Sequence, residues 1–253
     1  MIEYACRVEP GIRESNDDRA FINGSIVRDG MVSGSTRLPV FAAVCDGCGG
    51  YSGGGRAADL TLQTLQGNSA EEYIDPEVLS QAMMKCEDRI WMEKKQVPEY
   101  QEMCTTIAGC VLSEEKVILF HAGDTRIYRY DGKYFAQMTK DHSRVQNEMD
   151  MGLITPEDAV GREDRGVITR CIGVGGDKPD IREIGFGIHK GDLYLICSDG
   201  LWEYLSEEEM VEILSADMNL SEKADRLVDR ALEIGSDDNI SVCLCMNGGI
   251  ENG

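Results

Sequence analysis

Five places in this 253-residue chain set an aspartate at the end of a strand-like run, beside glycine, asparagine or a second aspartate. Asp46-Gly47 follows Val40–Cys45, and Asp199-Gly200 follows Leu193–Cys197 and Ser198. Gly123-Asp124 separates a run ending at His121 from one starting at Arg126. Asp238-Asn239 precedes Ile240, and Asp17-Asp18 precedes Ala20-Phe21-Ile22. Strand ends carry side chains out of a rigid sheet, and glycine lets backbone or ligand approach closely. A single Asp-Gly is an ordinary turn. Several carboxylates gathered by the fold are different, because they cannot all stay ionised unless cations compensate them. Oxygen donors of this kind select Mg²⁺ or Mn²⁺ over zinc. With only three histidines, a nitrogen-rich site has little to draw on. The chemistry this suggests is metal-assisted attack on an oxyanion.

The elements that must position these groups follow from periodicity. Short apolar or alternating runs bounded by Gly, Asp or Asn read as strands: Val40–Cys45, Thr106–Leu112, Val117–His121, Arg126–Tyr130, Leu193–Cys197 and Ile240–Met246. Asp131-Gly132 predicts a two-residue hairpin turn with both residues at positive φ. Asp75-Pro76-Glu77 predicts an N-cap with proline at the first helical position. Behind it Val78, Leu79, Ala82, Met83, Cys86 and Ile90 recur on one face. Ser206 and Glu209 fit a capping box. Ser221 is the expected cap of a third helix bearing Leu227, Val228, Ala231 and Leu232, and a fourth spans Arg56 to Gln66. The runs at 106–112, 117–121 and 126–130 have connections too short for crossover helices, so they are expected to pair antiparallel in sequence. The fold class is α+β, with helices laid over sheet faces. Residues 142–168 read as a polar surface excursion containing one helical stretch, Arg144–Met151. Residues 248–253 read as a frayed tail, leaving 1–247 as one domain.

Composition narrows the partners. Acidic residues number 46 against 25 basic, a net charge of −21, which repels phosphate backbones and anionic membranes and argues against nucleic acid. The longest apolar stretch, Leu38–Cys45, is eight residues, whereas a spanning helix needs about 20. The N-terminus lacks a secretion signal, so the ten cysteines are expected as free thiols in the cytoplasm. Cys243 and Cys245 alternate on one strand face and read as core. Cys45-x-x-Cys48 has no second such pair to complete a zinc site. As flanking thiols of Asp46, the two would distort a metal cluster there on oxidation. No Walker loop occurs, which removes the obvious nucleotide-binding reading.

Eight segments, in order from about residue 4 to 246, resemble the metal-dependent PP2C-like serine/threonine phosphatases in their bacterial form. Arg13-Glu-Ser-Asn16-Asp17-Asp18 resembles R-x-x-N-[E/Q]-D, and Ala43-Val-Cys-Asp46-Gly47-Cys-Gly49-Gly50 resembles V-x-D-G-M-G-G. Cys104-Thr105-Thr106, His121-Ala-Gly123-Asp124-Thr125-Arg126 and Cys197-Ser198-Asp199-Gly200-Leu201 are similar to G-T-T, G-D-S-R and C-S-D-G-L. Thr139-Lys-Asp141-His142-Ser143, Val167-Ile-Thr169-Arg170 and Asp238-Asn239-Ile240-Ser241 complete the set. The resemblance implies an α-β-β-α sandwich of two antiparallel sheets, a flap at about 142–168, and a cluster of two core Mn²⁺ or Mg²⁺ ions with a weaker third. It implies Asp46 bridging two ions, the Gly47 carbonyl on one, and Asp199 and Asp238 as direct ligands. Asp18 would act through water, Asp124 with Asp199 around the third ion, and Arg13 on the substrate phosphate. A metal-bridging hydroxide would attack phosphoserine or phosphothreonine, making Arg13, Asp46 and Asp199 the catalytic set. The implied partners are phosphorylated proteins, including a serine/threonine kinase and its substrates, met by a monomer.

The sequence departs from that pattern. Asp17 replaces Glu or Gln, Gly55 replaces Glu, and Tyr51 replaces His. Cys104 and Thr125 replace Gly and Ser. Cys48 replaces Met or His, which leaves the general acid unassigned, with metal-bound water as the expectation. No direct ligand is lost, so the competing reading, a catalytically weak phosphoprotein-binding relative, has no missing aspartate to support it.

Overall fold

The computed structural model describes residues 1–48, 53–159, 161–162, 164–176 and 178–248. The readings made at Gly49, Gly50 and Tyr51, and that of a frayed tail beyond Gly248, lie outside these residues. In chain order the strands are β1 (Ile2–Glu9), β2 (Arg19–Ile22), β3 (Ser25–Val27), β4 (Gly30–Thr36), β5 (Val40–Cys45), β6 (Gly47–Cys48) and β7 (Cys104–Thr105), followed by β8 (Ile107–Leu112), β9 (Val117–Ala122), β10 (Arg126–Tyr130), β11 (Phe135–Gln137), β12 (Asp180–Ile184), β13 (Leu193–Cys197) and β14 (Ile240–Asn247). The α-helices are α1 (Gly54–Leu65), α2 (Pro76–Gln96), α3 (Arg144–Asp150), α4 (Pro156–Ala159), α5 (Asp199–Trp202), α6 (Glu207–Ser215) and α7 (Leu220–Ile234).

One six-stranded sheet runs β11-β10-β13-β14-β1-β4, the other β12-β9-β8-β5-β2-β3, and β6 pairs with β7 beside them. Alternation explains how both faces of a wholly apolar strand are used. In β5, Val40, Ala42 and Val44 enter the core between the sheets. Phe41, Ala43 and Cys45 turn outward against α1 and α2. In β14, Cys243 and Cys245 face the inter-sheet core, as their spacing predicts. Ile240, Val242 and Leu244 pack under α5, α6 and α7. The layers are therefore helix, sheet, sheet, helix. No helix among the described residues is long and apolar enough to cross a membrane.

Asp75 caps α2 by accepting from the Glu77 N–H at 2.9 Å, and Ser206 with Glu209 forms the predicted capping box. Four local expectations need correction. Strands β9 and β10 do not pair: β10 lies between β11 and β13 in the opposite sheet. The chain changes sheets across Gly123-Asp124-Thr125, where Gly123 takes φ +118° and a Cβ would lie 2.6 Å from Thr106. The hairpin after β10 turns on Gly132-Lys133, since the Asp131 N–H donates to the Tyr134 carbonyl at 3.2 Å. Only Gly132 has positive φ, and the Asp131 carboxylate accepts from the Lys133 and Tyr134 N–H groups. Asn219, not Ser221, caps α7, with Glu222 completing a capping box. Finally, Cys6 and Cys243 stand opposite each other in the β1–β14 register and form a disulfide with Cα atoms 4.1 Å apart, so the ten cysteines are not all free thiols. Direct cross-strand opposition brings such side chains together.

Candidate metal centre

Antiparallel pairing places the start of one strand beside the end of its neighbour. Asp199 follows β13 by two residues, while Asp238 and Asp124 lie two residues before its two neighbours, β14 and β10. In the facing sheet, Asp46 ends β5 and Asp18 precedes its neighbour β2. The topology thus delivers five aspartates, from five separate segments, to one end of the sandwich. Arg13 reaches the same end through the loop that follows β1.

A cleft of about 550 Å³ opens there, lined among others by Arg13, Asp46, Gly47, Asp124, Asp199 and Asp238. Asp18 lies behind it, 1% exposed, with its carboxylate accepting from Ser198 Oγ at 2.7 Å. Burial and then mutual repulsion dominate the electrostatics. Burial first, then Asp199, Asp18, Asp124 and Asp238, holds the Asp46 carboxyl well above its usual range. Burial raises Asp18 to about 7, Asp124 to about 8 and Asp199 to about 6, each opposed by another carboxylate of the group. Asp46 and Asp199 are close enough for their carboxyls to hydrogen-bond. Asp124 Oδ1 is buried with no hydrogen-bond partner among the described residues. An unpaired buried carboxylate oxygen among repelling carboxyls is a deficit of positive charge. The oxygen-only donor set fits a hard divalent cation.

Backbone contacts fix the cluster. The Asp46 carbonyl accepts from the Thr106 N–H at 2.8 Å and from Thr105 Oγ1 at 2.9 Å. Thr106 Oγ1 and Thr125 Oγ1 meet at 2.5 Å, joining the Asp46 strand end to the Asp124 crossover. A Cβ on Gly47 would come within 2.2 Å of the Gly54 carbonyl carbon, so only glycine lets this loop lie against the start of α1. Two of the sequence departures turn out to be neighbours: a Cβ on Gly55 would stand 2.8 Å from Asp17 Oδ1 and from an Arg19 guanidinium nitrogen.

Arg13 sits at the rim. Its Nε donates to the Asp237 carbonyl at 2.7 Å and its Nη2 to Asp238 Oδ2 at 3.1 Å. Three residues that the sequence placed beside the aspartates, without a role, support the site. Asn239 accepts from the Asp17 N–H at 2.8 Å and donates to the Pro10 and Ser15 carbonyls at 2.9 Å, fastening the Arg13 loop to β14. Ser198 holds Asp18, and Thr125 holds Thr106. Each adjoins or nearly adjoins a flagged aspartate in sequence, which is the signal that points to it.

The segment 142–168 carries α3 and α4 and closes on a short stem, with the Arg144 N–H donating to the Val167 carbonyl at 2.9 Å and the Thr169 N–H to the His142 carbonyl at 2.8 Å. Gly166 and Ile168 line the cleft. Under this segment Arg126 holds Asp141 at 2.6 Å, and its guanidinium lies 3.4 Å from the Trp202 ring centroid. Arg165 reaches Glu203 at 3.3 Å, which ties the segment to the helix that Asp199 begins. Cys45 and Cys48 do not form a facing pair. Cys45 is fully buried among the residues packed on α1 and α2, while Cys48 Sγ meets Cys104 Sγ at 3.2 Å.

Comparison with known proteins places this arrangement. The profile described as Protein phosphatase 2C matches residues 19–233. The serine/threonine phosphatase stp of Listeria innocua is 30% identical over 247 residues, spanning 92% of this chain and 90% of that protein. The serine/threonine protein phosphatase PstP of Mycobacterium tuberculosis is 30% identical over 246 residues, spanning 96% of this chain but 44% of the longer relative. A crystal structure of the M. tuberculosis phosphatase PstP/Ppp superposes with TM-score 0.85 at 28% identity, covering 98% of this chain and 99% of that one. A structure of the PstP catalytic domain in complex with two manganese ions superposes with TM-score 0.80 at 27% identity, covering 97% and 99%.

Proposed function

The chain belongs to the protein phosphatase 2C family, and on that premise we propose that it hydrolyses phosphoserine and phosphothreonine in proteins with the help of divalent cations. The observation that carries this reading is the convergence of Asp18, Asp46, Asp124, Asp199 and Asp238 at one cleft whose rim bears a guanidinium. Asp46, Asp199 and Asp238, with the Gly47 carbonyl, would hold two Mn²⁺ or Mg²⁺ ions. Asp18 would act through water, and Asp124 with Asp199 would hold a weaker third. Cations in such a site supply a water of lowered pKa as nucleophile and offset phosphoryl charge.

The chain's own groups do the rest. The Arg13 fork is half exposed and anchored at Nε to a backbone carbonyl, so its Nη groups swing from Asp238 to phosphoryl oxygens without moving the loop. Hydrogen bonds with the Cys104 and Cys171 thiols, and then burial, hold Cys48 well above its usual range, and the acid for the leaving alkoxide would be a water whose pKa bound cations lower. The partners are phosphorylated proteins, with a kinase and its substrates the natural set, and the acting form is a monomer in the cytoplasm.

The test is hydrolysis of a phosphothreonine peptide with Mn²⁺ and with EDTA. Turnover that requires the cation is the expected result, and turnover undiminished by EDTA would reject the reading. Arg13→Ala is expected to lower kcat/KM about 10- to 100-fold, chiefly through KM, as loss of a charge-assisted hydrogen bond to phosphate does. Arg13→Lys recovers only part, since it restores the charge but not the fork. Steady-state kinetics of the two variants checks this, and equal KM values for Ala and wild type would remove Arg13 from the phosphate.

A further inference from the structure

Cys48, Cys104 and Cys171 come from three segments far apart in the chain, yet their Sγ atoms all lie within 4.8 Å of one another. The fold gathers them for identifiable reasons. Cys48 and Cys104 stand directly opposite in the β6–β7 register. Cys171 is delivered by its neighbour Ile172, which exchanges backbone hydrogen bonds with Thr105 at 3.0 and 2.8 Å. All three side chains are half-buried and reachable from solvent, whereas the free cysteines Cys45, Cys86, Cys110, Cys197 and Cys245 are buried. The C-x-x-C that looked incomplete in the sequence is thus completed at Cys48 by two thiols that no spacing announces, while Cys45 points elsewhere.

We propose that Cys48, Cys104 and Cys171 form a second, sulfur-lined site for a thiophilic cation of the Zn²⁺ class, with water in the fourth position. Tetrahedral zinc takes sulfur at about 2.3 Å, which sets ligand sulfurs about 3.8 Å apart. The trio brackets that spacing, with Cys48 and Cys104 sulfurs 3.2 Å apart and all pairs inside 4.8 Å. Binding forms a metal–sulfur bond at each cysteine and releases its thiol proton to solvent, so no oxidant or reductant is needed. Donor softness keeps the two centres apart: thiolates select zinc-like ions, and the aspartate cleft selects hard ones. Hydrogen bonds with Cys171 and Cys48, and then the Lys94 ammonium, which also donates to the Gly173 carbonyl at 2.5 Å, favour thiolate at Cys104. A second gathered group among the described residues, His121, His142 and Asp180, already has a cation, because Arg170 lies 2.6 Å from Asp180.

An ion at this site clamps three pieces of backbone: the loop carrying Asp46 and Gly47, β7, and the exit of the flap segment. The inference does not depend on the phosphatase reading, and its test reads the thiols directly. Reduced protein saturated with Mn²⁺ is titrated with Cd²⁺ as probe, following sulfur-to-cadmium charge-transfer absorption in the ultraviolet. The expected result is absorption that saturates at one equivalent, with Cys48, Cys104 and Cys171 protected together from iodoacetamide in peptide mass spectra. Cys171→Ser and Cys104→Ser each weaken Cd²⁺ binding at least about tenfold, as loss of ligand-shell groups does. Where a serine variant does not fold, the alkylation pattern of the wild type decides alone. Absence of the absorption, its persistence in both variants, or equal alkylation with and without Cd²⁺ overturns the site. So does a trio that closes to a disulfide in air and, once reduced again, still takes up no Cd²⁺.

Discussion

Asp46→Asn lowers kcat/KM toward a phosphothreonine peptide by at least about a thousandfold, and the same change raises the melting temperature of the metal-free protein. The two effects share one cause. Asp46 is the carboxyl opposed by all four others, Asp199, Asp18, Asp124 and Asp238. Asparagine keeps its shape but removes the charge that balances cations. Metal assistance contributes several kcal/mol to such reactions, and each 1.36 kcal/mol is about tenfold in rate. Without cations, the same carboxyl is a buried liability. Removing it relieves the remaining four, at about 2–4 °C of melting temperature per kcal/mol in a chain of this size. A carboxylate with a merely structural role would do the opposite, losing melting temperature when truncated. Steady-state kinetics and thermal melts in EDTA decide between them; retained activity, or a lower melting temperature in EDTA, would sink the assignment.

The metal-free protein also becomes steadily less stable as pH rises from about 4 to about 8, by at least about 10 °C in melting temperature. Burial raises Asp199 to about 6, Asp18 to about 7 and Asp124 to about 8 from an ordinary 3.8. Between these limits the folded chain holds protons that the unfolded chain has already lost. The stability contributed by these groups is complete below pH 3.8 and disappears as pH climbs through the folded values. Each such proton adds about 1.4 kcal/mol per pH unit to the slope. Saturating Mn²⁺ or Mg²⁺ flattens the profile, because a bound cation replaces the protons and favours the native state. Melting curves at several pH values, with EDTA and with Mn²⁺, give the comparison. A metal-free profile that is flat or rises over this range would show that the carboxyls are not buried together.

The centre of the fold was legible in the sequence because its strands are buried on both faces. Val40–Cys45 and Leu193–Cys197 lie where their apolar runs place them, bounded by the aspartates and glycines that end them. The edges were not legible. Gly30–Thr36 and Asp180–Ile184 are half-exposed edge strands with polar residues on both faces, so they lack the alternation that marks a strand. Partnership between strands was harder still. The short link after β9 looks like a hairpin, and only the packing of two sheets shows that Gly123-Asp124-Thr125 crosses between them. That crossover sets Asp124 opposite Asp199, so the misread turn is also what assembles the centre. The aspartates could be suspected singly from Asp-Gly and Asp-Asn pairs. Asn239 and Ser198 stood in the same pairs and segments, but only the fold shows that one fastens the Arg13 loop and the other holds Asp18. The thiol trio is invisible at sequence separations of 56 and 67 residues, read from 48, 104 and 171.

The most direct measurement of the central claim is the number of Mn²⁺ ions bound, read by titration calorimetry on chelator-treated protein and on Asp46→Asn. Two tight equivalents in the wild type, with a weaker third admitted and the tight pair lost in the variant, is the predicted result. A folded wild-type chain that takes up no Mn²⁺, or a variant that binds it as the wild type does, would contradict the assignment of these aspartates as a metal centre.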